Sequence, residues 1–141
     1  MKTAILLGLA IVAMVALGVF QMFRGRAEKL EHVFAEKPRF AQQAEPFEAQ
    51  TDFERRRMPD VYYHVVLRDV PLGWRLDLHC DWVDPTGAIA RRNTYQTRIV
   101  YRSTWATHCH QRFTEASASG SWHVRLTMNG RVLSDAPFAL K

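Results

Sequence analysis

The longest apolar stretch of the chain lies at its N-terminus. Residues 4–20 carry no charged side chain, and the apolar run continues to Phe23 with only Gln21 intervening. A helix needs about 20 apolar residues to cross the hydrocarbon core of a bilayer, whereas the apolar region of a signal peptide has about 7–15. Ala16 and Gly18 have the small side chains of a cleavage site, but that site would fall inside the run. We therefore predict an uncleaved transmembrane helix over residues 1–23, with a cleaved signal peptide as the alternative.

Residues 24–59 are predicted to form a helical extension followed by a linker arm. Leu30, Val33 and Phe34 recur at helical spacing, and the helix is expected to continue until Pro38, which cannot extend it. The polar segment after Pro38 contains three phenylalanines, which a purely solvated spacer rarely needs. These rings either pack on the chain's own domain or dock on a neighbouring subunit. The triple arginine that follows is either solvated or contacts anionic head groups or an acidic partner. The candidates for partner binding are Phe34, Phe40, Phe47, Phe53, Arg55, Arg56 and Arg57.

From Asp60 onward apolar and polar positions alternate, which indicates β-strands. The predicted strands are residues 61–68, 76–82, 88–92, 94–102, 105–113, 122–128, 132–133 and 138–140. Asp-Pro-Thr-Gly at 84–87 is typical of a turn, and Asn129-Gly130 is a strong hairpin signal. Six to eight short antiparallel strands without a helix among them predict an all-β sandwich over residues 60–141. The same alternation places Trp82, Trp105 and Trp122 on the inner faces.

Several motifs in the second half of the chain are typical of the turns and final hairpin of a sandwich. They are Trp-Val-Asp-Pro-Thr-Gly at 82–87, Thr-Trp at 104–105, Gly-Ser-Trp-His-Val-Arg-Leu at 120–126, Asn-Gly-Arg-Val-Leu at 129–133, and Phe138. Together they resemble small bacterial Ig-like envelope domains, and the resemblance covers residues 74–141 at most. It implies an Ig-like antiparallel sandwich with an adhesive or accessory role. It carries over no catalytic residue.

The two cysteines lie on different predicted strands. Cys80 and Cys109 are 29 positions apart, and the alternation points both of them inward. In an exported protein such a pair favours a disulfide. The alternative is two free buried thiols, which behave as small hydrophobic side chains.

Three histidines are candidates for a metal site. His108 and His110 share a face, because side chains two positions apart on a strand point the same way about 7 Å apart. His79 also points outward from its own strand, so the three imidazoles could bind copper or zinc if the strands were neighbours. Exposed histidines are ordinary, however, and no Asp or Glu accompanies the pair. We expect no cofactor, and a periplasmic metal- or redox-cofactor-binding module remains the alternative function.

Size, motifs and charge favour a non-catalytic protein. Of the 141 residues, those that follow the apolar run leave room for one small domain, not for a doubly wound nucleotide-binding fold or a (β/α)8 barrel. The serines at 117, 119 and 121 have no nucleophile-elbow context, and the sequence contains no phosphate-binding loop. Residues 60–141 have ten Arg and Lys against seven Asp and Glu, a net charge of only +3. We therefore expect no enzymatic activity, no nucleic-acid partner and no small-molecule substrate.

The sequence thus predicts a single-pass accessory subunit of the bacterial inner membrane. Its partners would be the lipid bilayer and a larger integral membrane complex of respiratory, photosynthetic or secretion type. A strict count of positive charges, Lys2 against Arg24, Arg26 and Lys29, favours a cytoplasmic C-terminal domain. The export-like start and the sandwich favour the periplasm, which is the side we predict. A free-standing adhesin or ligand-binding module, without a stable membrane partner, is a third possibility.

Overall fold

The apolar run forms one continuous helix. The computed structural model describes residues 2–141, and the helix α1 spans Lys2–Glu31. Met1, the first residue of the predicted anchor, lies outside the described residues, as does the side chain of Lys2, whose charge lies on the N-terminal side of the apolar run. The apolar side chains of α1 are exposed along its length; Ile5 is 64% exposed and Phe20 is 63% exposed. By length and composition α1 can cross a membrane, and a signal sequence would have the same properties.

Residues 33–141 form the second compact unit, which contains eight strands and one short 3₁₀ helix. The strands are β1 (Phe34–Ala41), β2 (Asp52–Phe53), β3 (Asp60–Arg68), β4 (Asp77–Val83), β5 (Ile89–Gln96), β6 (Trp105–Arg112), β7 (Gly120–Met128) and β8 (Arg131–Leu140). One sheet has the order β1-β3-β6, and the other has the order β2-β8-β7-β4-β5. The short strand β2 pairs with β8 in parallel, and all other pairings are antiparallel.

This strand order is that of an immunoglobulin-like sandwich. Strands β1, β3 and β6 take the places of A, B and E, and β8, β7 and β4 take those of G, F and C, with β5 added at the edge. Trp82 is fully buried on β4, where immunoglobulin domains carry their core tryptophan. The predicted fold class, an Ig-like antiparallel sandwich after one apolar N-terminal helix, is therefore confirmed.

The core lies between the two sheets and is centred on one aromatic ring. The rings that surround Phe138 lie 5.0 to 6.3 Å from it between centroids; they belong to Phe40, Phe53, Trp82, Phe113 and Trp122. All six side chains are at most 3% exposed. These rings come from both sheets and from the segments that join them, so a single cluster connects most of the fold.

The helical extension predicted to run to Pro38 is wrong. The helix ends at Glu31, and residues 34–41 form β1 instead, paired with β3. A register shift between Glu36 and Arg39 accommodates Pro38, and Lys37 there adopts a positive φ of 52°. A bulge of this kind is where proline, which has no N–H to donate, fits into an edge strand. The strand pairing with β3 overrides the local helical spacing.

The linker arm predicted for residues 38–59 is also incorporated into the domain. Strand β2 pairs with the end of β8, and a 3₁₀ helix at Arg55–Arg57 follows it. Phe40 and Phe53 are 3% and 1% exposed and belong to the core cluster. As candidates for partner binding they are therefore wrong, and the alternative, packing on the chain's own domain, holds for both rings because both contact Phe138 in the core.

Two details of the strand prediction differ from the structure. The runs predicted at 88–92 and 94–102 are replaced by the single strand β5, which ends at Gln96, and residues 97–104 are outside both sheets. The two predicted C-terminal runs form one strand, β8. Trp82 and Trp122 are buried as predicted, whereas Trp105 at the start of β6 is only half-buried and packs edge-on against Tyr101.

Candidate functional site

The outer face of the three-stranded sheet carries a group of stacked rings. Five side chains form this histidine–tyrosine face: Phe47, Tyr62, His64, His108 and His110. Strand alternation turns Tyr62 and His64 away from the core on β3, because their neighbours Val61, Tyr63 and Val65 are buried. The same alternation turns His108 and His110 outward on β6.

The register between β3 and β6 decides which rings meet. Tyr62 lies opposite His110, and His64 lies opposite His108. The Tyr62 and His110 rings are stacked, with centroids 4.9 Å apart and planes 19° apart. The His64 and His108 centroids are 5.1 Å apart, and Phe47 packs edge-on against His64 at 4.6 Å. The result is a continuous ring surface on the outside of a sheet, where polar side chains are the ordinary occupants.

His64 is the most constrained member of this face. Its Nε2 atom is buried and has no hydrogen-bond partner. Burial, together with the nearby charges of His108 and Arg39, lowers the pKa of His64. Since the ordinary pKa of histidine is about 6.5, the His64 imidazole is neutral at pH 7. A buried polar atom without a partner in a native fold calls for a physical explanation, and a group supplied from outside is one such explanation.

A shallow depression of about 360 Å³ lies beside His64. Its lining combines the cations of Lys37 and Arg39 with the apolar groups of Phe47, Val66 and Ala106. The Arg39 guanidinium lies over the Phe47 ring, 5.5 Å from its centroid. This lining suits a partner side chain that is apolar in its body and acidic at its end.

The three histidines predicted as metal ligands are not brought together. His108 and His110 lie on the three-stranded sheet, whereas His79 lies on β4 of the other sheet and contacts Thr94 at 2.9 Å. A site built from all three is therefore wrong, because both sheets of the sandwich separate their outer faces. Within residues 2–141, no group of three or more His, Cys, Asp and Glu side chains is placed to hold a metal ion. The neighbour that His108 actually has is His64, which the sequence analysis did not select.

The remaining partner-binding candidates have different environments. Phe34 is 47% exposed, and Phe47 is half-buried on the histidine–tyrosine face.

The three arginines also differ in their contacts. Arg55 donates hydrogen bonds to the carbonyl oxygens of Glu115 and Ser117, so it fastens the 3₁₀ helix to the loop before β7. The other two arginines are exposed; Arg56 lies in the same 3₁₀ helix, and Arg57 pairs with Glu54 at 3.0 Å.

The outer face of the five-stranded sheet has a different character. Four charged residues of alternating sign lie opposite one another across neighbouring strands: Asp135 on β8, Arg125 on β7, Asp81 on β4 and Arg92 on β5. Arg92 donates two hydrogen bonds to Asp81, at 2.5 and 2.9 Å, and Asp135 accepts from His123 and Arg125. The charges on this face thus satisfy one another, so it offers fewer unused groups to a partner than the histidine–tyrosine face.

The ion pair of Asp81 makes stability dependent on pH. Hydrogen bonds from Arg92 hold the pKa of Asp81 below its ordinary value, against the opposing effect of burial. A carboxyl whose pKa is lowered on folding stabilises the fold above its unfolded pKa of about 4, and this contribution is lost as the pH falls through the folded value. We expect Asp81→Asn to lower the melting temperature by a few degrees at pH 7, and the difference from the unmodified protein to shrink below about pH 4.

The control for this prediction is Asp77→Asn on the same strand. Asp77 is exposed and accepts a hydrogen bond from Gln96, so its replacement should change the melting temperature little. Thermal unfolding of both variants between pH 7 and pH 3 measures the effect. An Asp81→Asn deficit that stays constant down to pH 3 would contradict the role of the carboxylate charge.

The structure contains the predicted disulfide between Cys80 and Cys109. It joins β4 to β6 and therefore links the two sheets, with the Cα atoms 6.6 Å apart. Both residues are at most 5% exposed. Antibody domains place their inter-sheet disulfide between strands B and F, whereas this chain bridges the strands at the C and E positions.

Comparison with known proteins supports the fold. The crystal structure of an immunoglobulin-like protein from Pseudomonas aeruginosa matches with a TM-score of 0.53 and 15% sequence identity, over 78% of this chain and 97% of that protein. Together with the strand order, this match defines the chain as an immunoglobulin-like sandwich protein with an apolar N-terminal helix. No protein-family model matches the chain, and no curated protein matches it.

A second solved structure is an enzyme. The alkylpurine DNA glycosylase AlkC of Pseudomonas fluorescens, bound to DNA that contains an abasic-site analogue, matches with a TM-score of 0.54 and 15% identity over 77% of this chain. The chain spans only 30% of that enzyme. Identity at this level shows a shared fold and transfers no activity.

Proposed function

We propose that this protein is a non-catalytic accessory subunit that α1 anchors in the bacterial inner membrane. Its Ig-like domain would lie in the periplasm, where the histidine–tyrosine face binds a larger integral membrane complex of respiratory, photosynthetic or secretion type. The lipid bilayer and that complex are the proposed partners. The observation that carries the proposal is the ring surface on the outside of the three-stranded sheet.

The anchoring role rests on the exposed apolar surface of α1. Leu9 and Met14, for example, are 63% and 68% exposed, and exposing such apolar side chains to water costs free energy. A lipid bilayer supplies that environment, and α1 also satisfies its own backbone hydrogen bonds, as a spanning segment must. Arg24 and Arg26 follow the apolar run, where positive side chains meet the head groups.

The binding role rests on the chemistry of the histidine–tyrosine face. Aromatic side chains are enriched in protein interfaces, because they bury a large area while they lose few rotamers. Here the rings are already stacked on one another, and the register of β3 and β6 holds them in place. The unpaired Nε2 of His64 and the cations of Lys37 and Arg39 add groups that an acidic partner side chain would satisfy.

The ion pairs of the domain support a binding protein over an acid–base catalyst. Arg112 holds the pKa of Asp60 below its ordinary value, and Arg92 does the same for Asp81. A general acid that works near neutral pH needs a raised carboxyl pKa. The carboxylates that pair with arginine here are displaced in the opposite direction.

The disulfide supports the periplasmic side. A buried bridge between the two sheets is typical of an oxidising compartment, whereas cytoplasmic thiols are kept reduced. The positive charges after the apolar run, counted alone, favour the opposite orientation. We give the disulfide more weight, because it lies within the core of the folded domain.

Co-purification tests the proposed function. The full chain, tagged at its C-terminus and extracted from native membranes in a mild detergent, is expected to migrate with a stoichiometric membrane complex. Replacing both Tyr62 and His108 with alanine should reduce the amount of recovered complex at least about tenfold, which corresponds to about 1.4 kcal/mol of binding free energy. Both side chains lie outside the core, so the variant should retain the fold, as circular dichroism would verify.

The matched control is His79→Ala on the outer face of the other sheet, which should recover the complex in full. Equal recovery with the Tyr62 and His108 double variant would show that another surface binds the partner. A lone 16.3 kDa species from the unmodified chain would contradict the accessory role itself.

A further inference from the structure

Two loops lie at the end of the sandwich where the chain enters it. Strand β1 begins at Phe34, which pairs with Arg68 at the end of β3, and β6 begins at Trp105, which pairs with Leu67. The segments 69–76 and 97–104 therefore continue beyond the sheets at this end. Only His32 and Val33 separate the last residue of α1 from the first residue of β1. In the order of the sequence, this is the end of the sandwich at which the chain arrives from α1.

These two loops are fastened to each other by backbone hydrogen bonds. Gly73 donates to the carbonyl oxygen of Val100 at 2.7 Å, and Val100 donates to that of Trp74 at 2.8 Å. Val70 donates to Ser103 at 3.0 Å. Val70 and Val100 are 3% and 1% exposed, so both loops are also anchored in the core. The side chains at the tips of the loops are therefore held on an ordered backbone.

Large apolar side chains project from this ordered backbone into solvent. Leu72 is 61% exposed, Ile99 is 54% exposed and Tyr101 is 69% exposed. Leu72 and Ile99 lie on neighbouring segments of the two loops, because the residues that follow them, Gly73 and Val100, are joined by a backbone hydrogen bond. Exposed apolar groups that are gathered on an ordered surface are typical of a protein or membrane contact.

Arginines accompany these apolar groups. Residues 97–104 contain Arg98 and Arg102 and no acidic residue, and both arginines are exposed. The Arg102 guanidinium lies 5.4 Å from the centroid of the Tyr101 ring. Tyrosine is enriched at the head-group level of membranes, and arginine is attracted by anionic lipids. This combination matches the chemistry of a bilayer surface, because the apolar side chains are exposed and the arginines beside them carry the charge that attracts anionic head groups.

We propose that Leu72, Arg98, Ile99, Tyr101 and Arg102 form a membrane-contact surface that binds the anionic head groups of the bilayer that holds α1. The apolar side chains enter the interfacial layer, and the two arginines contact lipid phosphates. The domain is then held by two attachments, the helix and this surface, so its orientation on the membrane is fixed. This inference rests on the anchoring part of the proposed function and does not depend on the partner complex.

The test uses the full chain in lipid nanodiscs, with a spin label at Ile99→Cys or at Ala118→Cys and the native disulfide kept oxidised. Ala118 lies in the connection between β6 and β7, at the opposite end of the sandwich, so its label is the matched control. In discs that contain phosphatidylglycerol, the label at 99 should show a several-fold higher ratio of oxygen to nickel-complex collisions than the label at 118. Adding Arg98→Glu and Arg102→Glu should return the label at 99 to the aqueous value.

The outcomes separate this inference from the proposed function. If the chain fails to incorporate into discs, the anchoring role fails and this inference fails with it. If the chain incorporates but the label at 99 matches the label at 118, only the membrane-contact surface is refuted. The role assigned to the arginines would be overturned if the collision ratio at 99 were equally high in purely zwitterionic discs. It would also be overturned if the ratio stayed high after both glutamate replacements.

Discussion

Replacing Phe138 with alanine is expected to lower the free energy of unfolding by about 3–5 kcal/mol. Its ring is 3% exposed and contacts rings from both sheets, with Phe40 and Trp122 at centroid distances of 5.0 and 6.3 Å. Its removal leaves a cavity that the surrounding rigid rings cannot fill, so the transfer and cavity costs add. Because folded proteins have about 5–15 kcal/mol of stability in total, this loss is a large fraction of it.

Urea denaturation of the full chain in detergent, followed by near-ultraviolet circular dichroism of the core tryptophans, measures this loss. Phe34→Ala is the matched control, because it removes the same side chain from a site that is 47% exposed. Its cost is expected to stay below about 1 kcal/mol, as for most surface substitutions. Equal midpoints for the Phe138 and Phe34 variants would show that the core is not organised around Phe138.

The parts of the fold that the sequence predicts well are those in which local pattern and burial agree. Strand β3 alternates between buried and half-buried residues over its whole length, so its period of two is visible without any knowledge of its neighbours. Strand β7 alternates in the same way from Trp122 to Met128 and leads into a hairpin at Asn129 and Gly130, both with positive φ. At these sites the side chains alone decide which face is inside.

Strand β1 could not be predicted, because its structure depends on a distant partner. Leu30, Val33 and Phe34 have helical spacing, and Pro38 is usually not found within a strand. The pairing of β1 with β3 and the bulge around Pro38 supply the missing information, and neither is encoded locally. For Phe40 and Phe53 the sequence left two alternatives open, and the structure selects packing on the chain's own domain.

The sequence predicted only part of the candidate site. Alternation correctly indicated that His108 and His110 face outward from one strand. It could not indicate that Tyr62 and His64 lie opposite them, because the register between β3 and β6 comes from the whole sheet. The charged row that includes Asp81 and Arg125 was missed for the same reason. A covarying pair in an alignment is the kind of signal that would find such a register.

Loss of the disulfide is expected to be the second large effect. Cys80 and Cys109 are separated by 29 positions, and a loop of that size corresponds to about 3–4 kcal/mol in the chain-entropy model. Replacing both cysteines with alanine should lower the free energy of unfolding by about that amount. Reducing the unmodified protein should bring its urea midpoint close to that of the double variant, because both treatments release the same loop.

The same bridge also reports the compartment of the domain. If the domain lies in the periplasm, rapid acid quenching of cells followed by thiol alkylation should show both cysteines protected until the protein is reduced. Expressing residues 33–141 without α1 keeps the domain in the cytoplasm, where the thiols should remain reduced and the domain should have the lower stability of the double variant. Free thiols in the anchored chain would contradict the periplasmic orientation, and an unchanged midpoint on reduction would contradict the stabilising role of the bridge. Because Cys80 and Cys109 join opposite sheets, the second result would mean that the buried side chains between the sheets, including the cluster around Phe138, hold the sandwich together without the bridge.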